Sequence, residues 1–324
     1  MTRKGAGGQA GAVIGLLARA ARRALYPAVL AAAALALVSP AALRDSSTSP
    51  AVVATRARLY HVPVAVGDLD AASRQFERLG FVLKPGRAHG DGIVNRHAKF
   101  PDGTEIELIT STARPRSDSA RFYRRFVRQG DGPAFLALYL PDYRPVTGWL
   151  EKLRMGFRAA PDYLTVEGDG PLSYFFFAPL GAGTRLNHSP TDRPAHFRHP
   201  NGSRRLAAVW LAADDFSAER GLFARLGAAA RPVTAHVPGT VRAEAIALAS
   251  GRVMLLPGRF QRVRERRIVG LTVAVDDLAR TGALLAARGV PVTRGPGGGS
   301  LFVSPERAAG VWIEFLEARP DHSY

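Results

Sequence analysis

Few side chains in this 324-residue chain can do chemistry, because it has no cysteine to serve as thiolate ligand, nucleophile or disulfide. What remains is eight histidines and a handful of well-placed carboxylates. His61 interrupts the apolar run Tyr60-His61-Val62-Pro63-Val64-Ala65-Val66, and Glu105 and Glu107 alternate with Ile106 and Leu108. A neutral imidazole and a carboxylate are donors that a divalent metal such as Zn, Fe, Mn or Ni accepts, and both groups also carry protons. Between them in sequence, Asn95, His97 and Lys99 alternate with Val94, Arg96 and Ala98, and His89 lies in the Gly-rich stretch before them. Further on, His188, His196 and His199 share one Pro-rich stretch, and His236 stands apart.

Strands must position these groups. Alternation places Tyr60, Val62, Val64 and Val66 on one packing face and His61 on the other. By the same rule Glu105 and Glu107 share the face opposite Ile106 and Leu108. The polar set Asn95, His97 and Lys99 likewise shares one side of its strand. After the His61 strand, Asp68 is placed to cap a helix carrying Ala72, Phe76 and Leu79, and Gly80 to end it.

This outline recurs. Asp215 and Gly227, and Asp277 and Gly289, keep the spacing of Asp68 and Gly80, and a looser copy runs from Asp142 to Gly156. Each helix is followed by a strand and a hairpin with a Gly-containing turn, so each module reads strand, helix, strand, strand, strand. The helices should bury Leu69, Phe76, Leu79, Leu222, Leu226, Leu278 and Leu285. In the other modules Phe135, Ala208 and Gly270 stand at the place of His61, and Phe176, Leu255 and Glu314 at the place of Glu107.

With 47% hydrophobic residues the chain can bury a sizeable core, and its length suits about two domains. The net charge of +17 invites a nucleic-acid partner, but the basic residues are scattered. The densest internal run, Arg262, Arg264, Arg266 and Arg267, has no interleaved aromatic platform and reads as a solvated linker. The segment Ser117 to Phe126 reads as a basic helix whose aromatic stripe packs. Residues 24 to 43 carry no charge and follow Arg22-Arg23; at about 1.5 Å per residue they reach across roughly 30 Å of hydrocarbon. They resemble a signal peptide, with Ser39-Pro40-Ala41 at a cleavage site, or a transmembrane helix, and the arginine pair resembles a twin-arginine signal. The expectation is an exported or membrane-anchored protein, associated with the membrane through residues 24 to 43; the alternative is cytoplasmic.

Four such modules, the first opened by a His strand and closed by a Glu strand, resemble the vicinal oxygen chelate superfamily of glyoxalases, bleomycin-resistance proteins and extradiol dioxygenases. The stretches Gly86-Arg87-Ala88-His89-Gly90-Asp91-Gly92, Asp102-Gly103-Thr104-Glu105-Ile106-Glu107 and His199-Pro200-Asn201-Gly202 resemble its glyoxalase-like domain proteins. The resemblance implies an α+β fold of four βαβββ modules paired into two glyoxalase-like domains, residues 51–190 and 205–324. Residues 191–204 connect them, and residues 1–50 are signal or anchor and linker.

The resemblance also implies a small-molecule lyase, isomerase or dioxygenase working in the concave face of a sheet. There His61 and Glu107 are metal ligands, Glu105 and His89 transfer protons, and Asn95, His97, His188 and His199 contact the substrate. The family pattern draws further ligands from the paired module, where this chain has none, so His188, His199 or His236 must complete the site or it is metal-free. The alternative is a metal-free binding or sequestering protein of the bleomycin-resistance type.

Overall fold

The computed structural model describes residues 55–86, 89–112, 114–180 and 191–318. The segment 24 to 43 and His188 lie outside the described residues. Among the described residues no helix is long and apolar enough to cross a membrane.

The four modules are present and pair two by two, in three sheets. In the second half a single eight-stranded sheet runs Ala230–His236, Thr240–Ala247, Arg252–Pro257, Ser203–Ala213, Ile268–Val275, Trp312–Glu317, Ser300–Val303, Thr293–Arg294. Its two modules join where Ser203–Ala213 pairs antiparallel with Ile268–Val275. The first half has the same order broken at one point. One sheet runs Lys84–Pro85, Ile93–Lys99, Glu105–Ser111, His61–Ala65, Gly132–Pro133, and the other Arg58–Leu59, Leu136–Leu140, Phe175–Pro179, Tyr163–Val166, Phe157–Ala160. Residues 58 to 65 lie antiparallel to residues 132 to 140 across both, with bridging bonds from Tyr60 N–H to the Ala137 carbonyl (3.0 Å) and from Ala134 N–H to the Pro63 carbonyl (2.8 Å).

The break falls at Tyr60 and overturns strict alternation there. Leu59, Val62 and Val64 point into the core, while the Tyr60 ring stacks on Tyr139 at 4.1 Å and meets the His61 ring edge-on at 4.2 Å. The strand pairs with two partners in succession, and Tyr60 absorbs the change of register.

Helices α1 (Leu69–Arg78), α2 (Asp118–Phe126), α3 (Arg144–Lys152), α4 (Ser217–Arg225) and α5 (Leu278–Ala287) follow from their end residues. Asp68 accepts from the N–H groups of Asp70 and Ala71, and Asp277 from that of Arg280, satisfying donors that a helix start leaves open. Asp142 and Asp215 each bond the N–H two residues on, just ahead of α3 and α4. The looser copy stops at Arg154, which takes φ 55°, rather than at Gly156.

Phe76, Leu79, Leu222, Leu278 and Leu285 are buried in one core shared by both halves, and Leu69 and Leu226 pack partly buried against it. Helix α3 meets α4 there, with Trp149 Nε1 donating to the Ala218 carbonyl. The arginine run is only half a solvated linker: Arg262 and Arg264 are exposed, whereas Arg266 and Arg267 are partly buried. Arg266 lies over the Phe126 ring and donates to the carbonyls of Gly130 and Phe126, Arg267 pairs with buried Glu219 at 2.9 Å, and Arg262 pairs with Glu306. These side chains strap the fourth module's approach to the rest of the chain.

Candidate functional site

Strand register puts the polar residues of the first module in rows across one face. Lys99 lies opposite Glu105 and Glu105 opposite His61; in the next row Lys84 lies opposite His97, His97 opposite Glu107, and Glu107 opposite Pro63. The other face of these strands is occupied by Val62, Val64, Ala98, Ile106 and Leu108, which are in the core. The polar side chains therefore have only the cup to enter, as their alternation in sequence predicts. Helix α2 closes one end of that cup, packing Ala120, Tyr123 and Phe122 on Ala65, Ile93 and Ile109.

His61 and Glu107 face each other, with Nε2 to Oε2 3.5 Å, and both are buried. The second Glu107 oxygen accepts from the Asn95 amide at 2.5 Å. Asn95 reaches it by lying over Gly86, where a Cβ would come within 1.7 Å of Asn95 Oδ1. His61 Nδ1 is buried with no hydrogen-bond partner, and burial pulls the imidazole below its ordinary range against the opposing pull of Glu107. His61 is thus a neutral ring with an unused nitrogen.

The neighbouring group is charged. His97 Nδ1 lies 3.2 Å from Glu105 Oε1, and Lys99 Nζ 3.8 Å from Glu105 Oε2. Burial pushes Glu105 upward, but the charge and hydrogen bond of His97, with His61 and Lys99, hold its carboxyl at about 2. Burial likewise works against a charged His97, and the Glu105 carboxylate outweighs it and raises the ring above its ordinary range. Glu105 is thus held as the counter-ion of His97 and Lys99, and of the two partners His97, raised by that carboxylate, is the one that favours carrying a proton.

His199 does not reach the pair. Its Nδ1 accepts from Val82 N–H at 2.9 Å and its Nε2 lies 2.8 Å from the Lys99 carbonyl, between the rings of Phe81 and Phe100. Both nitrogens are spent on backbone, so it pins the connector. His236 ends a strand of the second half, beside Thr240. His89 sits in the turn before Ile93–Lys99, its carbonyl accepting from Gly92 N–H.

Among the described residues no three His, Asp or Glu are grouped to hold a metal. The His61–Glu107 separation nevertheless suits two donors each about 2.0 to 2.2 Å from one ion. The pair fits a metal as two of its ligands, through His61 Nε2 and Glu107 Oε2.

Three neighbours of the site were not legible from sequence. Tyr60 was hidden by strict alternation; burial, with Tyr139, Glu105 and Glu107, pushes its phenol well above the ordinary range, so it stays a hydrogen-bond donor. Phe176, from the second module, brings its ring to 6.1 Å from His61. Asp192, from the connector, takes Lys84 and Lys99 together.

The corresponding cup of the second half is filled. Trp210 lies against bare Gly270, where a Cβ would come within 2.2 Å of the indole, and packs with Met254, Leu256, Val269 and Phe302. Its Nε1 donates to Thr272 Oγ1, which donates to Glu314. Met254, not Leu255, faces this cup at the place of Glu107 in the third module; Leu255 points into the shared core.

Comparison with known proteins agrees with this architecture. Residues 59–227 match the family described as glyoxalase-like domain. Among solved structures, a mutant 4-hydroxymandelate synthase from Streptomyces coelicolor superposes with TM-score 0.56 at 16% identity, covering 82% of this chain and 94% of that one. A catechol 2,3-dioxygenase superposes with TM-score 0.55 at 12% identity, covering 84% and 91%. A xylose isomerase-like TIM barrel/4-hydroxyphenylpyruvate dioxygenase fusion protein gives 0.55 at 15%, with 84% of this chain covered; the chain spans only 50% of that protein's length. At these identities the likeness is one of fold. No curated protein matches the sequence.

Proposed function

The chain belongs to the glyoxalase-like domain family of the vicinal oxygen chelate superfamily, and from that premise we propose that it is a lyase, isomerase or dioxygenase acting on a small oxygen-bearing molecule in the cup of its first half. The observation that carries this reading is the buried His61, whose Nε2 lies 3.5 Å from the Glu107 carboxylate. A divalent metal held by His61 and Glu107 would polarise substrate oxygens as a Lewis acid. The chain's own residues do the rest. Asn95 fixes the Glu107 carboxylate through its amide, and Phe176 and Tyr60 wall the imidazole with apolar surface. Tyr60, which stays protonated, is the donor for an oxyanion developing on the substrate, and charged His97 is the acid that returns a proton.

The experiment is metal analysis of the full chain purified without chelators, on the parent and on His61→Ala. Bound metal in the parent that is lost in the variant supports the enzyme. One observation favours a second reading, a metal-free binding protein: among the described residues no third ligand joins the pair. Parent protein without metal that still binds a small molecule in a His61-dependent way would favour that reading.

A further inference from the structure

Two buried lysines stand at the edge-strand end of the same cup. Lys84 and Lys99 come from neighbouring strands, and their side chains are 12% and 5% exposed. Between them lies the carboxylate of Asp192, itself 5% exposed, with Lys84 Nζ on one oxygen and Lys99 Nζ 2.9 Å from the other. We propose that Lys84 and Lys99 form a subsite for the carboxylate of an apolar-bodied acid, and that Asp192 fills it when no ligand is bound.

The origin of the three groups carries the argument. The lysines belong to the sheet, whereas Asp192 belongs to the connector that crosses to the second half. Buried ammonium groups are costly unless paired, so the connector leaves this place only when another anion takes it. With Asp192 gone, Glu105 at 3.8 Å is the carboxylate left beside Lys99. An acidic ligand and Asp192 therefore compete for one position.

Register also sets the shape of that ligand. Lys99, Glu105 and His61 lie in one row, so two strand spacings, roughly 10 Å, separate the lysine end from His61. The His61 end is walled by Tyr60 and Phe176. A compact acid with an apolar body reaches the lysines while its far end lies against these rings. The placement of that far end rests on the proposed function; the acid end stands on Lys84, Lys99 and Asp192 alone.

The test is calorimetric titration of the full chain with benzoate, with benzamide as its neutral counterpart and with inorganic phosphate as a second source of anion. Benzoate should bind at least about tenfold more tightly than benzamide or phosphate. Lys84→Met should weaken benzoate about tenfold or more, and Asp192→Asn should tighten it by about the same factor by removing the competitor. Prior treatment of the full chain with a chelator should leave benzoate affinity within about twofold, so a failure of the metal reading at His61 is read separately from a failure here. No benzoate binding to either parent or Asp192→Asn, equal binding of benzamide, or unchanged affinity in Lys84→Met overturns the subsite. Tighter binding of phosphate than benzoate overturns the carboxylate assignment. If Asp192→Asn does not fold, the parent and Lys84→Met decide the matter.

Discussion

Glu107 reaches His61 with one oxygen and the Asn95 amide with the other, so one carboxylate ties together three strands of the first sheet at the middle of its concave face. The three side chains come from three strands and meet only because the strands pair in this register. The first prediction tests that link. Asn95→Ala should leave Glu107 buried with an unpaired oxygen and lower stability by about 1 to 3 kcal/mol in urea denaturation. It should also weaken any metal held by His61 and Glu107, read by metal content after dialysis against a competing chelator.

The second concerns acid. Glu105 is held at about 2 in the folded chain against an ordinary value of 4.5, so between those pH values the unfolded chain binds more protons. Its stabilising contribution is therefore full above about pH 4.5 and is lost as pH falls toward 2. His97 has the opposite sign: raised above 6.5, it contributes below that pH and loses its contribution as pH rises through the folded value. Glu105→Gln should lower stability by about 3 kcal/mol near neutral pH, because it removes the carboxylate paired with buried His97, while Lys99 keeps Asp192. It should also flatten the acid limb of a plot of unfolding free energy against pH; an acid limb identical to the parent's would refute the pairing.

The second cup supplies a third prediction. Gly270→Ala puts a methyl where Trp210 lies, and overpacking of this kind costs about 1 to 3 kcal/mol. Trp210→Ala alone should cost about 3 to 5 kcal/mol through the cavity it leaves. Because the two residues touch, the double variant should be more stable than the sum of the single losses implies, and strictly additive losses in thermal unfolding would show that they do not share the space.

These three cases differ in how far the sequence revealed them. The repeated Asp caps and Gly stops and the alternation around Glu105 and Glu107 exposed the modules and the polar face, since both patterns are local and follow from backbone geometry. Tyr60 was not legible, because it turns at a register break set by two partner strands distant in sequence. Asp192 escaped for a similar reason: an acid in a Pro-rich connector carries no mark of the lysines it will meet. The backbone contacts of His199 were not legible either, because nothing in its sequence neighbourhood marks Val82 and Lys99 as its partners. The aromatic stripe of α2 read correctly as packing, but its neighbour Arg266 lies on Phe126, so that part of the arginine run was structural where charge alone suggested solvent.

The N-terminal segment remains a proposal with its own test. Residues 1–50 fused to a reporter should carry it out of the cytoplasm if residues 24 to 43 direct export or anchoring. Lys at both Arg22 and Arg23 should block transport only if the twin-arginine route is used. A reporter that stays in the cytoplasm decides for the cytoplasmic alternative.

The final prediction concerns the packing on which the cup rests. Phe76 is fully buried under the first sheet, its ring 5.5 Å from Phe81, which in turn stacks at 5.9 Å on Phe315 of the fourth module. The same chain of rings continues from Phe81 to His199, the residue that ties the connector to the Lys99 carbonyl. Phe76→Ala should therefore cost about 3 to 5 kcal/mol and do more than loosen one helix. By freeing Phe81 it should also loosen the His199 contact, and with it the approach of the connector to the cup. Hydrogen exchange of the Val82 amide, which donates to His199, reads this directly: it should quicken in Phe76→Ala by more than the loss of global stability accounts for. Exchange that follows global stability alone would mean that the first module and the connector are held independently.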